Sequence, residues 1–113
     1  MKHIISVIGL GYVGLPVAIE FSKYFETIGY DINQQRIKQL NLNNDVNEEI
    51  SSKLIKQSKK LIFTSNSKKL RKCNTHIITV PTPINKKNKP DLKHIFYACK
   101  QVGKILKKND FVI

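Results

Sequence analysis

The fold is decided by residues 4–16, a stretch near the amino terminus that reads IISVIGLGYVGLP. Its first five residues are mostly β-branched and end at a glycine, which is typical of a short buried strand. The next six residues match the pattern GxGxxG, and apolar residues at helical spacing follow as far as Phe25. Pro16 suits the first turn of a helix, because that turn does not use its N–H. The stretch therefore predicts a strand, a glycine-rich turn and a helix.

The rest of the chain continues to alternate short apolar runs with longer amphipathic segments. Further strands are predicted at four places: 27–30, 61–64, 75–80 and 111–113. Helices are predicted between them: one capped by Asn33, one within 45–60, a short one ending at Arg71 and a long one capped by Asp91. This order predicts an α/β fold, a Rossmann-like doubly wound parallel sheet with helices on both faces, truncated at its fifth strand. Residues 45–60 receive no functional interpretation.

The long helix after Asp91 is predicted to bury one apolar face. That face consists of six residues at helical spacing: Leu92, Ile95, Phe96, Cys99, Val102 and Leu106. Cys99 belongs to this stripe, so its thiol is predicted to lie in the core rather than to react. Because Cys73 and Cys99 form no CxxC or Cys/His spacing, no metal site is predicted and both are expected to be buried thiols in a reducing compartment.

Length and composition limit the possible protein classes. The 113 residues, 41% hydrophobic and 25% charged, suffice for one globular domain and argue against a disordered chain or a disulfide scaffold. The chain ends within an apolar strand, so we expect residues 1–113 to be one domain of a longer protein. The glycine-interrupted amino-terminal run fits neither a signal peptide nor a membrane span. We therefore expect a cytoplasmic protein with no membrane partner.

The net charge of +12 raises the possibility of nucleic-acid binding. The lysines are spread along the chain, however, and no basic helix carries interleaved aromatic residues. We therefore predict solvated lysine-rich faces and no nucleic-acid partner. A basic nucleic-acid-binding module and a non-catalytic nucleotide-sensing domain stay as alternatives of a different class.

The glycine-rich turn has the chemistry of a dinucleotide site. Gly9 permits the tight turn, Gly11 lets a pyrophosphate approach the backbone, and Gly14 lets the helix pack close to the sheet. The helix amino terminus then offers free N–H groups and a positive dipole end to the phosphates. Asp31 ends the next strand, 22 residues after Gly9. Its carboxylate can accept hydrogen bonds from ribose hydroxyls and would repel a 2′-phosphate, which predicts NAD rather than NADP.

Two further features belong to the predicted cofactor site. Arg36 lies close enough in sequence to stack near the adenine or to reach a phosphate, and it could also support NADP binding. Pro81 and Thr82 follow the fourth predicted strand, which flanks the reversal of strand order where ligands bind in such sheets. Thr82 is expected near the ribose on the nicotinamide side, although a rigid proline-rich turn is the alternative.

Four segments together resemble the amino-terminal NAD-binding domain of the UDP-glucose/GDP-mannose dehydrogenase family. They are residues 7–16 (VIGLGYVGLP), 29–33 (GYDIN) with Arg36, 79–83 (TVPTP) and 89–92 (KPDL). Within that family the sequence is most similar to bacterial UDP-N-acetylhexosamine 6-dehydrogenases of capsule, Vi-type and O-antigen synthesis. A UDP-glucose or GDP-mannose 6-dehydrogenase is the alternative within the family.

The resemblance implies an enzyme that oxidises a nucleotide sugar twice at C6. The alcohol becomes an aldehyde, then a thiohemiacetal and a thioester on an enzyme cysteine, and finally a uronate, with two NAD⁺ reduced. The family's catalytic Cys, Lys and Asp lie beyond residue 113, so this chain alone is expected to hold no catalytic residue and to be inactive. The full-length protein is expected to bind NAD and a UDP-sugar and to form a homodimer.

The resemblance also implies roles for individual residues. Tyr12 and Val13 would bind the pyrophosphate through their backbone, Asp31 the adenosine ribose, and Thr82 the nicotinamide side, while Arg36 would lie by the adenosine half. The predicted cofactor-binding residues are Gly9, Gly11, Tyr12, Val13, Gly14, Asp31, Arg36, Pro81 and Thr82.

Overall fold

Five parallel strands form one sheet in the computed structural model, which describes residues 2–113. The strands are β1 (Ile4–Ile8), β2 (Glu26–Tyr30), β3 (Leu61–Thr64), β4 (Thr75–Ile78) and β5 (Phe111–Val112). Their spatial order is β3-β2-β1-β4-β5, so the order reverses between β1 and β4. This arrangement confirms the predicted Rossmann-like, doubly wound α/β fold.

Helices connect the strands, and polar side chains cap three of them. They are α1 (Gly14–Ser22), α2 (Gln34–Asn41), α3 (Ser52–Gln57), a 3-10 helix (Ser67–Lys72) and α4 (Lys93–Ile105). Asn33 caps α2 as predicted, since its side-chain oxygen accepts the N–H groups of Gln35 and Arg36. Within residues 2–113 no helix combines the length and the apolar character needed to cross a membrane.

The core consists of two clusters, one on each face of the sheet. Because side chains alternate along a strand, Val7 of β1 packs with α1, α2 and α3, whereas Ile8 packs with the 3-10 helix and α4. Cys73 belongs to the second cluster and is fully buried. Burial raises the pKa of its thiol to about 12, so the thiol stays protonated. The prediction of a buried Cys73 is therefore confirmed.

The helix predicted within residues 45–60 is shorter than expected. Only Ser52–Gln57 is helical, and Val46, which lies at helical spacing with Ile50, Leu54 and Ile55 in the sequence, is exposed. The carboxylate of Asp45 accepts the N–H groups of Asn47, Glu49 and Ile50, which folds this segment into a turn. A local side-chain acceptor competes here with helical hydrogen bonds.

The predicted apolar face of α4 is only partly confirmed, because Val102 is buried and Ile95 is half-buried, whereas the other four predicted residues are exposed. The helix packs on the sheet through Ala98, Val102 and Ile105, whereas Phe96 is 67% exposed and Cys99 is also exposed. Ala98, which the predicted stripe leaves out, is buried beside Val102, and the helix is therefore rotated from the predicted orientation. The same orientation leaves the thiol of Cys99 exposed, so the prediction that this thiol lies in the core is wrong.

Candidate functional site

The glycine turn between β1 and α1 lies against the end of β4. Gly9 has φ of 101°, and a Cβ there would lie 2.9 Å from the Cα of Val80. A Cβ on Gly14 would overlap the carbonyl oxygen of Gly9 and come within 2.6 Å of Thr79 Oγ1. Any side chain at either position would therefore separate the turn from β4. This is the tight turn and close packing that the sequence predicts for these two glycines.

Gly11 and the start of α1 face open space. A Cβ on Gly11 would meet nothing within 4 Å. Within residues 2–113, no hydrogen bond uses the N–H groups of Gly11, Tyr12 or Val13, and α1 has neither a side-chain cap nor an acid in its first turn. The side chains of Tyr12 and Val13 point outward and are each 64% exposed. The free N–H groups and the unfilled space fit a bound pyrophosphate.

Asp31 directly follows β2 and is fixed by two backbone groups. Its Oδ2 accepts the N–H of Leu10 at 2.9 Å, and its Oδ1 accepts the N–H of Asn33 at 3.0 Å. A carboxylate oxygen can accept more than one hydrogen bond, so both oxygens keep capacity for ligand hydroxyls. The carboxylate is thus held in one orientation with acceptor capacity left on both oxygens.

Arg36 lies behind the glycine turn rather than in front of it. Its side chain is 9% exposed, and Nε donates to the carbonyl oxygen of Leu10 at 2.8 Å. Together with Asp31, it holds both backbone polar groups of Leu10. The side chain of Leu10 is fully buried and packs over Gly29. Leu10 is therefore immobilised in the middle of the predicted cofactor loop.

The turn opens into a crevice of about 360 Å³ at the carboxyl ends of β1, β2 and β4. Four predicted site residues line it: Gly9, Gly11, Asp31 and Pro81. Tyr12, Val13 and Gly14 continue the loop beyond this lining. Thr82 is exposed in the segment after β4, and neither it nor Arg36 is part of the lining. The position agrees with the rule that open α/β sheets bind ligands where strand order reverses.

Sequence reasoning missed one wall of the crevice, which α4 and Tyr30 provide. His94, Tyr97 and Ala98 project into it from α4. Burial, together with the neighbouring Tyr97, raises the pKa of Tyr30 to about 12, so the hydroxyl of Tyr30 stays protonated. Asp31 is the one acid among the lining residues. The chain that follows β4 must pass over the place where the strand order reverses. This position could have pointed to α4 as a wall of the crevice.

A larger hollow of about 610 Å³ lies at the opposite end of the sheet, beside the amino ends of β1, β2 and β3. It is lined by residues such as Lys2, Glu26 and Lys60, and it contains no part of the glycine turn. Its position is not the one at which doubly wound sheets bind ligands. The candidate site is therefore the smaller crevice.

Comparison with known proteins gives consistent results at the level of family, sequence and structure. Residues 3–113 match the model of the UDP-glucose/GDP-mannose dehydrogenase family, NAD binding domain. The chain is 47% identical over 109 residues to UDP-N-acetyl-D-glucosamine 6-dehydrogenase of Pseudomonas aeruginosa, covering 96% of this chain and 26% of that protein. It is 44% identical over 113 residues to protein CapL of Staphylococcus aureus, covering 100% of this chain and 26% of that protein.

A solved structure agrees with the sequence matches. The UDP-D-ManNAc dehydrogenase of Pyrococcus horikoshii superposes with a TM-score of 0.90 at 32% identity, covering 96% of this chain and 27% of that one. The chain thus spans about a quarter of the length of the relatives that it matches.

Proposed function

This chain belongs to the UDP-glucose/GDP-mannose dehydrogenase family, and we propose that it is the amino-terminal NAD-binding domain of a nucleotide-sugar 6-dehydrogenase. The proposed substrate of the full-length protein is a UDP-N-acetylhexosamine, which is oxidised to its uronate with two NAD⁺ for surface polysaccharide synthesis. The name of the relative at 47% identity supports this choice of sugar. The family resemblance further implies a cytoplasmic homodimer.

The residues of this chain would bind and orient the cofactor, while NAD⁺ supplies the hydride acceptor. The free N–H groups of Tyr12 and Val13 would bind the pyrophosphate beside Gly11, and Asp31 would accept both hydroxyls of the adenosine ribose. Arg36 would support the adenosine side from behind the loop. Gly9 and Gly14 would keep the loop close to β4.

The end of β4 would complete the site on the nicotinamide side. Pro81 lines the crevice, and Thr82 follows it in the exposed segment. A proline restricts the backbone at this point, because its ring fixes φ. Pro81 and Thr82 would therefore form a stiff edge against which the nicotinamide half of the cofactor is placed.

We propose that the catalytic nucleophile is outside residues 1–113. Cys73 is fully buried, and burial raises its pKa to about 12, so it provides no thiolate. Cys99 is exposed on α4, but it is not among the residues that line the crevice. Neither thiol meets the requirement for attack on a sugar aldehyde. Residues 1–113 by themselves are therefore expected to bind cofactor without turnover.

The observation that carries this proposal is the pairing of an open, unbonded glycine loop with the fixed carboxylate of Asp31 in one crevice.

Calorimetric titration of the protein with NAD⁺ and NADP⁺ tests the proposed cofactor site. Asp31→Asn is expected to weaken NAD⁺ binding about tenfold or more, because charge-assisted hydrogen bonds to the ribose are lost, and to reduce the preference over NADP⁺. The matched control is Asp91→Asn, since Asp91 also accepts a backbone N–H but lies outside the crevice. Equal affinity of the wild type for both cofactors, or equal effects of the two substitutions, would contradict the ribose assignment.

A further inference from the structure

The turn at residues 45–50, between α2 and α3, is built around one buried carboxylate. The side chain of Asp45 is 1% exposed. Its Oδ1 accepts the N–H of Asn47 at 3.1 Å, and its Oδ2 accepts those of Glu49 and Ile50 at 3.1 and 3.0 Å. Although burial alone would raise the pKa of Asp45, its bonds to Arg36 and to the backbone hold that pKa below its usual range. The carboxylate is therefore charged at neutral pH and fully bonded.

Arg36 connects this turn to the glycine loop. Its Nη1 donates to Asp45 Oδ1 at 2.8 Å, while its Nε donates to the carbonyl oxygen of Leu10 at 2.8 Å. A guanidinium is planar and rigid, so fixing one nitrogen fixes the direction of the others. Nη2 is buried and has no partner within residues 2–113. Without Asp45, two buried nitrogens would lack acceptors, and the guanidinium would leave its place beneath the loop to reach water.

We propose that Asp45 is a positioning residue for NAD binding, which acts through Arg36 to hold the carbonyl of Leu10. Asp31 holds the N–H of the same residue from the ribose side. The two contacts fix the two peptide groups that flank the Cα of Leu10, and the following N–H groups of the loop then face the phosphates. The proposal rests on the NAD site proposed above, and it gives residues 45–50 a role in that site although they do not line the crevice.

The first test compares Asp45→Asn with Ser51→Ala in the full-length protein. Ser51 caps α3 by accepting the N–H of Leu54 at 3.1 Å, so its loss destabilises the adjoining segment without touching Arg36. Asp45→Asn is expected to raise the NAD⁺ Kd, measured by calorimetry, about tenfold, and Ser51→Ala to leave it within about twofold. In the dehydrogenase assay, Asp45→Asn should raise KM for NAD⁺ and leave kcat at saturating NAD⁺ unchanged.

The outcomes separate the inference from the function on which it rests. An unchanged NAD⁺ Kd for folded Asp45→Asn, with normal NAD⁺ binding by the wild type, would overturn the positioning role and leave the proposed function standing. Failure of the wild type to bind NAD⁺ would overturn both.

The second test needs no substitution, so it also decides the case in which Asp45→Asn fails to fold. Coupling between two sites is reciprocal, so NAD⁺ must tighten the contacts of Asp45 if those contacts tighten the NAD⁺ loop. Hydrogen exchange of the wild type should slow on NAD⁺ addition at the N–H groups of Asn47, Glu49 and Ile50. The N–H of Leu54, held by Ser51, should be unaffected. Equal exchange at residues 47–50 with and without NAD⁺ would contradict the proposal.

Discussion

Two strand–helix–strand units of the sheet use their apolar residues differently. In the β1–α1–β2 unit, five of the nine residues of α1 are buried: Gly14, Leu15, Ala18, Ile19 and Ser22. In the β4–α4–β5 unit, only Ala98 and Val102 of the thirteen residues of α4 are buried. Phe96 of α4 and Phe111 of β5 are 67% and 61% exposed.

The glycine loop therefore belongs to the well-packed unit, whereas the exposed apolar side chains Phe96 and Phe111 belong to the other unit. The unit that carries the glycine loop is covered by α2 and α3, and Leu10 is held there by both backbone groups and by its side chain. The outer side of the second unit is covered by no residue between 2 and 113. We therefore expect substitutions in the first unit to affect folding and NAD binding together, and matched substitutions in the second unit to affect neither strongly.

The largest contrast is expected between Leu15→Ala and Phe96→Ala. Leu15 is 1% exposed in the core beneath α1, so its truncation should leave a cavity and cost about 2–5 kcal/mol of unfolding free energy. Phe96 loses little contact when truncated, so its effect should stay within about 0.5 kcal/mol. Urea denaturation of both variants measures the two free energies. A loss of similar size for Phe96→Ala would show that its side chain is covered, contrary to the comparison.

The next contrast is between alanine at Gly14 and at Gly103, one glycine in each unit's helix. A Cβ on Gly14 would overlap a backbone oxygen of the loop, so Gly14→Ala should cost about 2–3 kcal/mol and weaken NAD⁺ binding. A Cβ on Gly103 meets nothing within 4 Å, so Gly103→Ala should stabilise the helix by about 0.5–1 kcal/mol. Thermal denaturation and NAD⁺ titration of both variants check this. Normal NAD⁺ affinity in Gly14→Ala would contradict the geometry of the loop.

The smallest effect is expected from pH, acting at the junction of the two units. His76 of β4 is fully buried, and its Nδ1 lies 2.7 Å from Ser6 Oγ of β1. Its Nε2 lies 3.5 Å from Asp110 Oδ2 without forming a hydrogen bond. Burial lowers the pKa of His76, so the folded protein favours the neutral ring. The unfolded chain then binds more protons below about pH 6.5, and stability is full above that pH and falls as the pH drops.

The pH prediction has a matched control in the other histidine of this unit. Between pH 7.5 and 5.5, Tm of the wild type should fall more than Tm of His76→Gln, whereas exposed His94→Gln should behave like the wild type. Burial alone would raise the pKa of Asp110, but the backbone N–H and the side-chain ammonium of Lys107 hold that pKa below its usual range. The carboxylate of Asp110 therefore stays ionised between pH 7.5 and 5.5. An identical pH dependence in all three proteins would exclude His76 as the source.

The sequence predicts the first unit well because its signals there are local. The β-branched run, the glycine spacing and the cap at Asn33 each act within a few residues, and the structure confirms the elements they predict. The parallel sheet follows from the alternation of strands and helices. Asp31 is likewise found from its distance along the chain, since it ends the strand beside the glycine turn.

The parts that the sequence does not predict depend on contacts between distant residues. The face that α4 buries contains Ala98 and Val102, and periodicity alone does not show this face when several apolar stripes are present. His94 and Tyr97 line the crevice because α4 has this orientation. The turn at Asp45 depends on a bond to Arg36, nine positions earlier, and on three backbone groups that would otherwise suit a helix.

The most direct test of NAD binding at the glycine loop is a titration of isotope-labelled protein with NAD⁺, followed by amide resonances. The N–H groups of Gly11, Tyr12 and Val13 have no partner within residues 2–113, so these resonances should shift most, together with that of Asn33 beside Asp31. The resonances around the opposite hollow, such as those of Glu26 and Lys60, should stay in place. Shifts confined to that hollow, or no shifts at the loop under saturating NAD⁺, would contradict the account.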